Sequence, residues 1–164
     1  MTVMLKGRQE AMIIRTFLLE DQTDIRDALV DGMQHYAPVR FIGLADTETA
    51  AKNWLGANDC RWELAIVDLH LAQGSGLNVL KDCQLRSPRQ KVVVLTSYVE
   101  EHVLRRCKEL GADAVFDKAH DVDELVRFCK RHADHLKSLR DQDQVAEVYR
   151  TAAKDKDKDR YGDA

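Results

Sequence analysis

At 164 residues the chain is long enough to bury a full core as one domain. With 45% hydrophobic and 32% charged residues it is neither fibrous nor disordered, and a net charge of −3 with no acid-free Lys/Arg cluster speaks against direct nucleic-acid binding. The longest uncharged apolar run, 92–99, is far too short to span a membrane, and the opening MTVMLKGRQEAM lacks the apolar core of a signal peptide. The expectation is a cytoplasmic protein with no membrane attachment.

Branched and aromatic residues at 12–19 predict a first strand, which runs into Glu20-Asp21. Ile25, Ala28, Leu29, Met33 and Tyr36 then fall on one helical face. A second strand is predicted over 39–44, followed by a helix capped by Thr47 that carries Ala50, Ala51, Trp54 and Leu55. The third strand, 64–69, includes Asp68. Ser75 caps the next helix, which carries Leu77, Leu80 and Cys83 and is expected to stop at Ser87-Pro88. The fourth strand, 92–96, ends on Thr96-Ser97. Val103, Leu104, Cys107 and Leu110 form a fourth helical face, closed by Gly111. After a fifth strand at 114–116 come Asp117-Lys118. Asp121 and Glu124 have the spacing of a capping box for a last helix with Leu125, Val126, Cys129 and Leu136 inward.

Five βα units in series predict an α/β, doubly wound (βα)5 fold: a five-stranded parallel sheet with helices on both faces and right-handed crossovers. Cysteines 60, 83, 107 and 129 include no CxxC pair, so a zinc knuckle or thioredoxin-type site is not expected; 83, 107 and 129 read as small apolar fillers. His132 and His135 read as a solvated helix face. The organisation expected is an N-terminal extension at 1–11, a domain at 12–137, and a charged tail at 138–164. In that tail Val145, Val148, Tyr149 and Ala152 can extend the helix before the mobile KDKDKDRYGDA.

Ligands bind such sheets at the carboxyl ends of the strands. Each of Glu20-Asp21, Asp68, Thr96-Ser97 and Lys118 alone is an ordinary solvated strand end, but together they put three acids, a hydroxyl and an amine on one edge. Clustered carboxylates attract a hard divalent cation, a carboxylate can accept a phosphoryl group, and an ammonium can neutralise it.

Four segments, in order, carry a family resemblance. FLLEDQTDIRDAL, AIVDLHLAQGSGLNVL, VVVLTSY and GADAVFDKA resemble the acidic-pair, phospho-acceptor, threonine and lysine segments of a response-regulator receiver domain of two-component signalling, of the chemotaxis-type, stand-alone kind. The resemblance covers 12–136 and implies a flavodoxin-like strand order, 2-1-3-4-5. It implies Asp68 as phospho-acceptor, with Mg2+ held by Glu20, Asp21, Asp68 and the His70 backbone carbonyl. Thr96, Ser97 and Lys118 become phosphate-binding and switch residues, and His70 and Tyr98 occupy positions that tune phosphate lifetime.

The implied partners are a sensor histidine kinase or a histidine phosphotransferase, and a downstream protein on the face of the fourth helix, fifth strand and fifth helix. A homodimer is compatible with this reading; nucleic acid and membrane are not expected as direct partners. Three positions depart from the family pattern, one of them Ala72, in the loop after Asp68 where proline is common. Val115 stands where an aromatic is usual, with Phe116 pointing to the other face and Tyr98 a conceivable substitute. Ala119 stands where proline is common, and a trans Lys118-Ala119 bond is expected. The rival readings are a nucleotide-binding domain, an aspartyl-nucleophile hydrolase, and a receiver-like binding module that works without phosphate. Gly74-Ser75-Gly76 lacks the further glycine the first needs, and His70 stands where the second needs an acid.

Overall fold

The computed structural model describes residues 11–160, the side chains of 155–160 excepted. The extension expected at 1–11 therefore lies outside the described residues up to position 10, as do 161–164. In chain order the elements are β1 (Ile14–Leu19), α1 (Thr23–Tyr36), β2 (Val39–Ala45), α2 (Glu48–Ala57), β3 (Leu64–Val67), α3 (Gly76–Asp82), β4 (Lys91–Thr96), α4 (Glu101–Glu109), β5 (Ala114–Asp117) and α5 (Val122–Arg160). The strands are all parallel in the order β2-β1-β3-β4-β5.

Strand alternation splits the core into two layers. Phe17, Leu19, Ala65, Val67, Val92 and Val94 pack on Ala51, Val79, Leu80 and Cys107 of α2, α3 and α4. Leu18, Leu64, Ile66, Val93, Leu95 and Phe116 pack on Met33 of α1 and on Leu125, Cys129 and Leu136 of α5. β3, buried at every position, reads as a continuous apolar run because both its faces are covered. Val115 and Phe116 point to opposite layers, and Phe116 meets Phe128 edge to face. Cys83, Cys107 and Cys129 are buried; burial pushes the first up to about 11 and the last up to about 12, so both stay protonated fillers.

Several local expectations are corrected by tertiary contacts. α3 ends at Asp82, not at Ser87-Pro88. The Arg86 guanidinium donates to the carbonyls of Cys83, Gln90 and Gly111 and to Asp113, which holds 83–90 in a turn. Tyr36 and Leu104 are exposed, since α1 and α4 bury narrower stripes than their periodicity suggests. Asp121 and Glu124 form no capping box: the Asp121 carboxylate accepts from the Asp117 amide, and Glu124 pairs with Arg127. Thr47 and Ser75 do cap α2 and α3, accepting from Ala50 and Leu77.

His132 is not on a solvated face. It is buried, and its Nε2 donates to the Glu63 carbonyl at 2.8 Å, beside the Glu63–Arg15 ion pair. Burial pushes the imidazole below its ordinary range, Lys91 and His135 push the same way, and the Glu63 carbonyl opposes. The folded chain therefore refuses a proton that the unfolded chain accepts below about pH 6.5. Stability is expected to fall as pH drops from 7.5 to 5.5, and His132→Gln should flatten that fall. Denaturant midpoints across this range measure it; parallel curves for the two proteins would contradict it.

Candidate functional site

Two strands deliver acids to one end of the sheet. Glu20 follows β1, where its amide donates to the Ala45 carbonyl, and Asp68 follows β3, where its amide donates to Leu19. These bonds continue the ladders by one residue and aim both side chains into the crevice between the carboxyl ends of β1 and β3. Glu20 is 1% exposed and Asp68 5%. Together with Asp21 they bring one carboxylate oxygen each within 4.8 Å of one another.

Lys118, at the end of β5, spans the crevice. Its Nζ donates to Glu20 Oε2 at 2.5 Å and to Asp68 Oδ2 at 2.7 Å. Burial alone would push this ammonium down, but its bonds to Asp68 and Glu20 outweigh burial and hold it above its ordinary value. The amine stays charged and offsets part of the acid repulsion. No peptide bond among the described residues is cis, so Lys118 reaches both acids with a trans bond before Ala119.

The remaining predicted residues surround this centre unequally. Thr96 is fully buried; its hydroxyl oxygen accepts from the Tyr98 amide at 3.3 Å, and its carbonyl accepts from the Lys118 amide. The His70 amide makes a long 3.4 Å bond to Asp68 Oδ1. His70 and Tyr98 leave the acid cluster and meet each other, with ring centroids 4.1 Å apart and a 41° tilt. Ser97 is exposed on the loop after β4.

Asp21 shows what the acid set lacks. One of its oxygens accepts from the Ala72 amide at 2.7 Å, while the other, Oδ1, is buried without a hydrogen-bond partner. An orphaned carboxylate oxygen beside two further carboxylates fits a hard divalent cation, which takes oxygen ligands and relieves their repulsion.

Two supports escape the sequence reading. Glu48, at the start of α2, clamps the loop after Asp68. Its carboxylate accepts from the Ser75 amide and the Asn78 side chain, and its own amide donates to Gln73. Its bonds with Lys52, Ser75 and Asn78 hold the carboxyl well below the usual range, at about 2. Gly76 opens α3 against the acceptor backbone, where a Cβ would run into the Asp68 carbonyl oxygen. A glycine straight after a helix-capping serine is the signal that could have revealed this approach; Glu48 left no signal.

Residues 16–130 match the response regulator receiver domain family, and the chain belongs to it. The DNA-binding transcriptional activator DevR/DosR of Mycobacterium tuberculosis is 26% identical over 118 residues, 72% of this chain and 54% of its own length. Sporulation initiation phosphotransferase F of Bacillus subtilis is 29% identical over 72 residues, 44% of this chain and 58% of its own. The chain thus spans little more than half the length of these curated relatives. The signal receiver domain of the putative response regulator NarL from Mycobacterium tuberculosis shares the fold, with a TM-score of 0.65 at 19% identity, over 74% of this chain and 97% of that one.

Proposed function

We propose that Asp68 is the phospho-acceptor of this receiver domain, taking a phosphoryl group from the phosphohistidine of a sensor histidine kinase or a histidine phosphotransferase. The observation that carries this reading is the convergence of Asp68, Glu20 and Lys118 within hydrogen-bond reach in one crevice. Asp68 Oδ attacks phosphorus, the P–N bond breaks, and the donor imidazole leaves with the electron pair. Lys118, already charged against Asp68, balances the negative charge arriving there. Thr96, whose hydroxyl accepts only an amide hydrogen bond, is free to turn its own proton toward a phosphoryl oxygen.

Glu20, Asp21, Asp68 and the His70 backbone carbonyl are the residues that would hold Mg2+. When bound, that ion would neutralise carboxylates and phosphoryl oxygens together. A new phosphate adds about −1.5 to −2 charges, enough to draw Thr96 and its loop inward and alter the face of α4, β5 and α5 that a downstream protein reads. Ser97 lies next to that threonine, and the paired His70 and Tyr98 rings sit where they can limit access of water to the phosphate. The domain assists its own phosphorylation and dephosphorylation and modifies no other protein in this reading; the cytoplasm is the compartment the reading implies.

Intact mass after incubation with acetyl phosphate and Mg2+ tests the acceptor. One added phosphate on wild type, none on Asp68→Asn, and loss of the signal with chelator are expected. No addition to wild type would leave a phosphate-independent binding module as the better reading. Thermal melts test the cation separately. At tenfold excess over its dissociation constant, Mg2+ should add about 1.4 kcal/mol, or roughly 3–6 °C for a domain of this size, and Asp21→Asn should abolish the gain. An equal shift in the variant would remove Asp21 from the ligand set.

A further inference from the structure

The last helix outruns the domain it belongs to. Leu136 is the last fully buried residue among its described side chains, yet α5 continues to Arg160, 24 residues or about 36 Å further. Asp143, seven residues past Leu136 and so on nearly the same side, pairs with Arg89 of the loop before β4. Beyond that tie the helix carries an uncharged strip. With each residue turning the helix by about 100°, Gln142, Val145, Ala146, Tyr149, Ala152 and Ala153 fall within a band roughly 120° wide that contains no charge between 142 and 153 and ends where Lys156 enters it. Val145 is 56% exposed and Tyr149 73%. Helices in proteins gain most of their stability by packing an apolar face, and this stretch packs none against its own domain.

The pattern of the strip selects its occupant. Leu139, Gln142, Ala146, Tyr149 and Ala153 repeat at intervals of three and four, the spacing of a two-helix seam. The charges beside that seam, Asp143 and Arg150, are seven residues apart on one edge and opposite in sign. In an antiparallel pair of identical helices this edge faces its own copy, so each Asp143, which uses one oxygen for Arg89, turns the other toward Arg150 of the second copy. The same register sets each Tyr149 ring against the small Ala146 of the other helix and Gln142 against Ala153. In a parallel pair Asp143 and Arg150 would face Ser138 and Val145, and no ion pair would form. The segments agree: 141–147 holds three acids and no base, and 148–154 holds two bases and no acid. Antiparallel pairing lays acid on base and puts the two domains at opposite ends.

We propose that this strip is a self-association surface, on which the α5 extensions of two copies pack antiparallel about an axis that passes between Glu147 and Val148. One helix pair of this length is smaller than a standard stable interface, so the dimer is weak, concentration-dependent and weaker at high salt.

Sedimentation velocity of the full chain over a concentration series tests it. Wild type should pass from monomer to dimer, and Tyr149→Asp should raise the dissociation constant at least about tenfold with the domain's melting temperature and helical signal unchanged. Arg150→Asp should weaken the dimer, and adding Asp143→Arg to it should restore association. Orientation is read in a Cys60→Ser background, because Cys60 is exposed. Gln142→Cys chains should form a disulfide with Ala153→Cys chains and not with themselves. A wild type monomeric up to roughly millimolar concentration would overturn the proposal and leave the strip to a different protein. A dimer indifferent to Tyr149→Asp, or Gln142→Cys chains that crosslink to one another, would overturn it equally.

Discussion

Replacing Lys118 with methionine is expected to lower the unfolding free energy by about 3–5 kcal/mol in the absence of divalent cation, the range for removing one partner of a buried ion pair. For this size of domain that corresponds to roughly 6–20 °C in melting temperature. Lys118 donates to both Glu20 and Asp68, and the three side chains are 12%, 1% and 6% exposed. Without the ammonium two acids face each other with little water to screen them. Adding Asp68→Asn to Lys118→Met removes one of those charges and should recover a large part of the loss, a non-additivity that a double-mutant cycle measures directly. Mg2+ should recover part of it as well. A Lys118→Met protein that melts within a degree of wild type would mean that the crevice carries no such coupling.

Gly76→Ala is expected to cost at least about 1–3 kcal/mol, the range for overpacking a close-packed site, and to slow phosphorylation by the same displacement. The added Cβ would meet the Asp68 carbonyl oxygen and lie 2.8 Å from the Leu69 Cα. These are backbone atoms, so no rotamer change relieves the contact. Either the start of α3 backs away or the acceptor loop shifts, and the second moves Asp68 off Lys118. Gly32→Ala is the control. Its Cβ would meet nothing within 4 Å in the middle of α1, and replacing a mid-helix glycine should gain about 0.5–1 kcal/mol. Denaturant unfolding of the two variants, with the rate of phosphate uptake from acetyl phosphate, gives both readings. Normal stability and normal uptake in Gly76→Ala would show that α3 does not fix the acceptor.

The sequence alone determined the order of the elements and the edge where chemistry gathers. Hydrophobic period separates strands from helices because a strand buries alternate residues and a helix buries every third or fourth. A parallel βα series leaves strand ends at one edge, so an acid after β1, an acid after β3 and a lysine after β5 had to converge. Thr47 and Ser75 were legible as caps because a cap is a contact across two or three residues. Val115 and Phe116 were legible as opposite-facing because strand alternation is local.

Tertiary structure alone decided what depends on distant neighbours. His132 reads as surface by its own helix, yet Glu63, 69 residues away, supplies its partner and its burial. α3 stops at Asp82 because Arg86 finds the Gly111 carbonyl and Asp113, across 25 and 27 residues. Glu48 reaches Ser75 over 27 residues, and Asp21 reaches Ala72 over 51. Local pattern carries no record of such pairs, since the energy that fixes them appears only once the sheet has brought the loops together. The sequence therefore names the residues at the strand ends, and the packed fold decides which of their oxygens are satisfied and which one, Asp21 Oδ1, is left buried without a partner.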